Sequence, residues 1–256
     1  MCGRYAATKD PAKLIEEFEA IDLTEGRART DHNVAPTKNV VTVVQRHPRD
    51  DEGEVLEDEP AERSLRLMKW GLVPFWAKDP SVGSRMINTR AETAAEKPAF
   101  RRALVSRRCL VPADGWFEWR RTGKEKEPFY MTGPGDASLA FGGIWESWHP
   151  KDDENAAPLI TFSIITTDAA GQLTDVHHRM PLIVPEAHWD GWLDPDRDDV
   201  TDLLVPTPDD IVASLELRPV ASLVNNVRNN GPELLDRVDP QQQLADDGAL
   251  FEVPKS

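Results

Sequence analysis

Many short strand-like runs, a few brief helical patterns and no nucleotide-binding loop predict an α+β fold in one domain. The runs at 40–46, 65–70, 108–112, 129–131, 139–145, 159–166 and 217–222 are short and rich in β-branched, aromatic or aliphatic residues. Helical periodicity is confined to 10–18, 98–105, 185–192 and 209–215. There is no GxGxxG, no P-loop and no internal repeat. Strands in such excess pack as antiparallel and mixed sheets. The expected result is an open barrel-like core with short helices at its periphery. One domain over 1–238 and a polar tail over 239–256 account for the chain.

Each element has a local reason. Asp10 caps a helix, Pro11 suits its first turn, and Leu14, Ile15 and Phe18 share a face. Asn33-Val34-Ala35-Pro36-Thr37 is a turn into the strand at 40–46. The stretch 49–62 is acidic and aperiodic, as in an exposed hairpin loop or insertion. Trp70-Gly71-Leu72-Val73-Pro74-Phe75-Trp76 is aromatic and turn-forming, either tucked over the core or displayed for stacking. A short helix is expected to begin at Asn88 or Thr89 and run to Glu96, with another over 98–105 turning Arg101 and Arg102 outward. Cys109 falls in a strand of buried character, a core thiol rather than a nucleophile. In Asp114-Gly115-Trp116-Phe117-Glu118-Trp119, period-two alternation puts Trp116 and Glu118 on one face. Glu118 among aromatics is either a desolvated general acid or a carboxylate paired with an arginine; pattern alone favours the pair. A short helical or turn segment is expected over 166–170, an acidic loop over 194–202, and a polar loop over 225–231, where four Asn fall within six residues.

Composition narrows function. The chain of 256 residues is 39% hydrophobic, enough for a core, with no apolar run long enough to span a membrane. No signal-peptide core is visible, so a cytoplasmic location is expected. Cys2 and Cys109 do not make a disulfide scaffold. The net charge of −15 argues against diffuse nucleic-acid binding. Residues 85–127 run the other way, with eleven Lys/Arg against six Asp/Glu, as either a focused polyanion site or a solvated strand edge. The acidic excess, with 20 Arg to 10 Lys, suggests a salt-adapted source. His177-His178 before Arg179 is not a metal spacing, so no metal or cofactor is expected; one imidazole is a candidate proton carrier, and the alternative is a surface pair.

The first five residues, Met1-Cys2-Gly3-Arg4-Tyr5, hold the most reactive possibility. With Met1 removed, Cys2 carries an α-amine (pKa ~7.7–8.0) beside a thiol (pKa ~8.5). Such a 1,2-aminothiol condenses with an aldehyde to a thiazolidine. Alternatively, it attacks an acyl carbon with its own amine as base.

These motifs, in this order, are similar to those of the SOS response-associated peptidase (SRAP) family, proteins that shield abasic sites in DNA. The resemblance extends over nearly the whole chain. It is carried by Met1-Cys2-Gly3-Arg4-Tyr5, Asn33-Val34-Ala35-Pro36-Thr37, the 70–76 segment, Ile87-Asn88-Thr89-Arg90-Ala91-Glu92-Thr93, the 108–119 segment and Val176-His177-His178-Arg179-Met180-Pro181. It implies that Cys2 traps the aldehyde of an abasic sugar in single-stranded DNA as a thiazolidine cross-link, with AP-lyase and peptidase activities also attached to the family. It further implies that Asn88, Glu118 and His177 are the polar active-site residues. Arg4 and Arg90 match phosphate-binding positions, and Trp70, Phe75 and Trp76 match the loop that meets bases. His178 stands where the family often has an acidic residue. The expected partner is single-stranded DNA containing abasic sites, with no membrane, and the expected state is a monomer.

Overall fold

Two sheets divide the strands of the computed structural model, which describes residues 2–150, 153 and 156–239. The tail expected over 239–256 lies outside the described residues apart from Asp239. In chain order the strands are β1 (Tyr5–Ala7), β2 (Ile21–Asp22), β3 (Asp31–Val34), β4 (Asn39–Arg46), β5 (Glu62–Trp70), β6 (Asn88–Arg90), β7 (Arg108–Ala113), β8 (Gly115–Thr122), β9 (Glu125–Thr132), β10 (Leu139–Trp148), β11 (Leu159–Asp168), β12 (Arg179–Pro181) and β13 (Glu216–Pro219). The helices are α1 (Pro11–Phe18), α2 (Ala91–Ala94), α3 (Arg101–Ser106), α4 (Trp189–Leu193) and α5 (Asp209–Ser214).

The barrel expected from the strand pattern is present, and it closes. Strands β11, β10, β7, β4 and β5 pair in that order, and a parallel pairing of β5 with β11 (Lys69 with Thr161, Trp70 with Phe162) completes the ring. Alternate side chains then separate into two cores. Val44, Met68, Trp70, Val111, Phe141, Trp145, Phe162 and Ile164 fill one cluster. Val43, Leu65, Leu110, Ile144 and Ile165 join a second, to which α1, α3 and α4 contribute. This explains why every residue of β7 is buried and why its sequence is almost continuously apolar. Its one charge, Arg108, donates to the carbonyls of Leu104 (2.9 Å) and Trp192 (2.6 Å), near the C-terminal ends of α3 and α4. Those carbonyls have no partner within their own helices, and the cation meets the negative ends of both.

The second sheet, in the order β13-β9-β8-β1-β3, brings the start of the chain inside. Strand β1 lies between β3 and β8, with Tyr5 opposite both Val34 and Trp116. The Phe117 N–H donates to the Arg4 carbonyl at 2.9 Å, so the ladder continues beyond β1 towards Cys2.

Local propensity fails where pairing offers more. The helix expected from Asn88 or Thr89 starts later, at Ala91, because Asn88–Arg90 pairs in parallel with β11. Thr89 is fully buried there, and its hydroxyl shares a 2.8 Å hydrogen bond with Ser163. The turn expected at 166–170 likewise begins later, at Gly171, since β11 runs on to Asp168 against β12. The two edges of β11 near its C-terminus therefore carry β6 on one side and β12 on the other. That junction delivers Asn88 and Arg90 from one side and the residues around His177 from the other.

Candidate active site

Cys2 is 1% exposed and sits against this junction. Its carbonyl accepts a hydrogen bond from Asn88 Nδ2 at 2.8 Å, and its sulfur accepts one from the Arg4 backbone N–H. Asn88 Oδ1 is buried and, among the described residues, makes no hydrogen bond. Burial pushes the Cys2 thiol well above its ordinary range, and the nearby Glu118 carboxylate pushes it further. Glu118 is 4% exposed, and burial raises its carboxyl to about 7. At neutral pH the pair therefore favours a protonated thiol beside a carboxyl poised between its two forms. That is the arrangement a proton shuttle needs. Desolvation is the largest influence on the Glu118 carboxyl.

His177 Nδ1 lies 3.7 Å from Glu118 Oε1 and accepts the Arg179 backbone N–H at 3.0 Å. With Nδ1 accepting, the ring proton sits on Nε2; the Arg179 carbonyl lies 3.3 Å from the same nitrogen, where the other tautomer would donate. Burial lowers the imidazole to about 4, so it is neutral at physiological pH. Arg179 is itself locked in place. Its guanidinium bonds both carboxylate oxygens of Glu92 (2.8 and 3.0 Å), Asp168 Oδ1 (2.5 Å) and the Thr166 carbonyl (2.6 Å). One buried arginine thus ties α2, β11 and β12 together behind the imidazole. The His178 ring stacks on that of His177 at 4.3 Å.

A cleft of about 790 Å³ opens over these groups, lined by Arg90, Glu118, Trp119, Arg121, Lys126, His177, His178 and Asn225. Arg90 is exposed there, as a phosphate contact requires. Arg4 is placed differently. Its Nη1 donates to Asn33 Oδ1 (2.7 Å) and the Val224 carbonyl (2.8 Å), and its guanidinium lies 5.8 Å from the Trp119 ring. Arg4 thus braces the cleft wall through Nη1. Asn33 extends the brace, its Nδ2 donating to the carbonyls of Asn226 and Asn229 at 3.2 and 2.9 Å.

The 70–76 segment splits. Trp70 is fully buried, its Nε1 donating to the Ile87 carbonyl at 2.9 Å. It has no face to offer a base, so the expected DNA contact at Trp70 is corrected to a core role. Phe75 and Trp76 are 48% and 49% exposed, with the Arg102 guanidinium 5.0 Å above the Phe75 ring. The change of side occurs at Gly71, whose φ of 127° favours glycine and whose missing side chain admits the Gly83 carbonyl.

Sequence reading alone did not assign Trp119, Asn225 or the Arg179 network to the site. The Asn-rich 225–231 segment was a usable signal, since Asn225 Oδ1 accepts from Trp119 Nε1 at 2.6 Å on the cleft wall. Among the described residues no group of three or more His, Cys, Asp or Glu is placed to hold a metal ion, and no helix is long and apolar enough to cross a membrane.

The family described as SOS response associated peptidase (SRAP) matches residues 1–227. The chain belongs to the SRAP family. Among its relatives is the abasic site processing protein YoqW of Bacillus subtilis, 38% identical over 242 residues that cover 92% of this chain and 99% of the relative. The abasic site processing protein HMCES of Gallus gallus is 32% identical over 273 residues, covering 92% and 77% respectively. A crystal structure of a protein from Bacteroides thetaiotaomicron superposes with a TM-score of 0.76 at 24% identity, covering 93% of this chain and 100% of that one. That likeness is one of fold. In this SRAP chain the architecture is a closed strand ring with a second sheet that carries the chain start inside.

Proposed function

We propose that this chain processes abasic sites by capturing them covalently in single-stranded DNA through Cys2, as a thiazolidine cross-link that shields the lesion. The observation that supports this reading most is convergence. Cys2, Asn88, Glu118 and His177 come from four distant segments: Asn88 bonds the Cys2 carbonyl, the Glu118 charge acts on the Cys2 thiol, and Glu118 and His177 lie 3.7 Å apart on one cleft. The names of the YoqW and HMCES relatives point to the same lesion.

The reaction balances as follows. Opening of the abasic sugar needs a proton on the departing ring oxygen, which His177 Nε2–H orients by a hydrogen bond. The Glu118 carboxylate takes the C1′ hydroxyl proton and passes it to that oxygen, which leaves Glu118 ionised again. The Cys2 amine, free once Met1 is removed, adds to the aldehyde, and the adduct loses water to an imine, the amine's two protons leaving with the oxygen. The Cys2 thiol gives its proton to ionised Glu118, the thiolate adds to the imine carbon, and Glu118 hands that proton to the nitrogen. Asn88 holds the Cys2 backbone while this happens. Arg90 holds a phosphate, Arg4 supports the wall behind Trp119, and Phe75 and Trp76 stack against bases. Every group comes from one chain, which fits a monomer.

Mixing the mature protein with an abasic single strand is expected to give a band that survives denaturing electrophoresis. Cross-linking by Cys2→Ala at the wild-type level would overturn the scheme, as would permanent retention of Met1 in the purified protein by intact mass.

A second reading is motivated by the buried Glu118 beside the thiol: an N-terminal-nucleophile hydrolase limited to removing Met1. In cell-free synthesis lacking aminopeptidase, this reading expects the wild type to lose Met1 and Glu118→Ala to keep it. Retention by both would exclude it.

A further inference from the structure

The β8–β9 hairpin carries two cations that the proposed chemistry does not use. Arg121 on β8 and Lys126 on β9 stand directly opposite each other in the ladder. Side chains so placed point to the same face with their Cβ atoms ~4.5–5.5 Å apart, and like charges there repel. The hairpin also has acids within reach. One rung inward, Arg120 faces Glu127 and pairs with it at 2.8 Å; one rung outward stands Glu125, opposite Thr122. Among the described residues the side chains of Arg121 and Lys126 form no ion pair or hydrogen bond. Both are exposed, and both line the cleft over Glu118, together with Trp119. Arg90 and His178, which line the same cleft, come from the other sheet's side. A repelling pair kept free of nearby carboxylates and turned into an active-site cleft is a preformed place for an anion.

We propose that Arg121 and Lys126 form a backbone-phosphate clamp, holding one phosphodiester of the captured strand while Arg90 holds another on the facing side. The strand then crosses the cleft from one sheet to the other, with the abasic sugar between the two holds and above Glu118. The clamp rests on the reading of this cleft as a DNA site. It adds a pair of strand-positioning residues to that reading. Lys124, at the exposed turn of the same hairpin, is not on the cleft lining and takes no part.

The test is equilibrium binding of an intact single strand across a salt series, alongside cross-linking of an abasic strand, for wild type, Arg121→Gln, Lys126→Gln, the double variant and Lys124→Gln. Losing one phosphate contact lowers the slope of log affinity against log salt by about 0.7 for single strands, and binding weakens about fivefold at ~0.1 M salt. The double variant is expected to show that change, Arg121→Lys to restore the slope, and Lys124→Gln to change little. In cross-linking, the half-saturating DNA concentration should rise more than the limiting rate falls. Removing the repulsion should leave Tm unchanged or higher, so weaker binding would not reflect poor folding. If the wild type binds and cross-links while the double variant keeps the wild-type slope and affinity, the clamp is wrong and the capture reading stands. If the wild type neither binds nor cross-links, both are wrong.

Discussion

Cys2 and Cys109 are buried to the same degree, at 1% and 0% exposure, and burial raises both thiols far above their ordinary range. What differs is the company. Cys109 lies among core side chains; a methyl group in place of the Gly143 hydrogen would come within 2.9 Å of its sulfur. Its carbonyl accepts from Trp192 Nε1 at 2.9 Å, inside a strand with no exposed residue. Cys2 has a carboxyl near neutrality, a carboxamide on its backbone and a neutral imidazole beyond, at the edge of a cationic cleft. On the proposed reading, then, burial does not distinguish a structural thiol from a reactive one; a route for its proton does.

The sharpest break in that comparison is to delete each thiol in turn. Cys2→Ala is expected to abolish denaturant-resistant cross-linking. Cys109→Ala should cross-link normally and lose about 1 kcal/mol of stability, read by gel and by chemical denaturation. Next in size is the proton route. Glu118→Gln should slow cross-linking by about 10²-fold or more and remove the rise in rate expected of the wild type as pH increases through about 7. His177, held near 4, should add no inflection above pH 5.

The same carboxyl has a cost in folding. Its folded value lies above the ordinary 4.5, so the protonated form stabilises the fold fully below about 4.5, and that contribution is lost as pH rises through about 7. Glu118→Gln should therefore be more stable than wild type at pH 8, by on the order of 3 kcal/mol, with the difference fading by pH 5. Thermal melts at the two pH values check this.

The aromatic segment offers a parallel contrast. Trp70→Ala should cost about 3–5 kcal/mol of stability, whereas Trp76→Ala should leave Tm nearly unchanged and weaken strand binding by ~1–3 kcal/mol. Smallest is Asn88→Ala, which removes one hydrogen bond to Cys2. It should cost about 1 kcal/mol and slow cross-linking several-fold without moving its pH midpoint.

Much of this was legible before the structure. Alternation placed Glu118 beside Trp116, and the apolar run at 108–112 marked β7 as buried, because both signals are local. The barrel's closure was not legible. It depends on Lys69 and Trp70 meeting Thr161 and Phe162 across some ninety residues of chain. The misplaced helix start at Asn88 has the same origin, since nothing near Thr89 in sequence announces Ser163 as its partner. Trp70 and Trp76 differ in role only through the reversal at Gly71, which composition cannot resolve. The bracing bonds of Arg4 were not legible either, because Asn33 and the Val224 carbonyl are both remote in sequence.

The short lead from Cys2 to β1 leaves the reactive residue no slack. Tyr5 is pinned on both sides, so the thiol has two intervening residues in which to reach its station. One residue inserted at Gly3 would shift the terminus by a peptide unit and turn its side chain towards the opposite face, while most of the ladder stayed intact. Such a protein would melt like the parent and do nothing to a lesion. Purification handles and fluorescent fusions accordingly belong on the far end of the polypeptide.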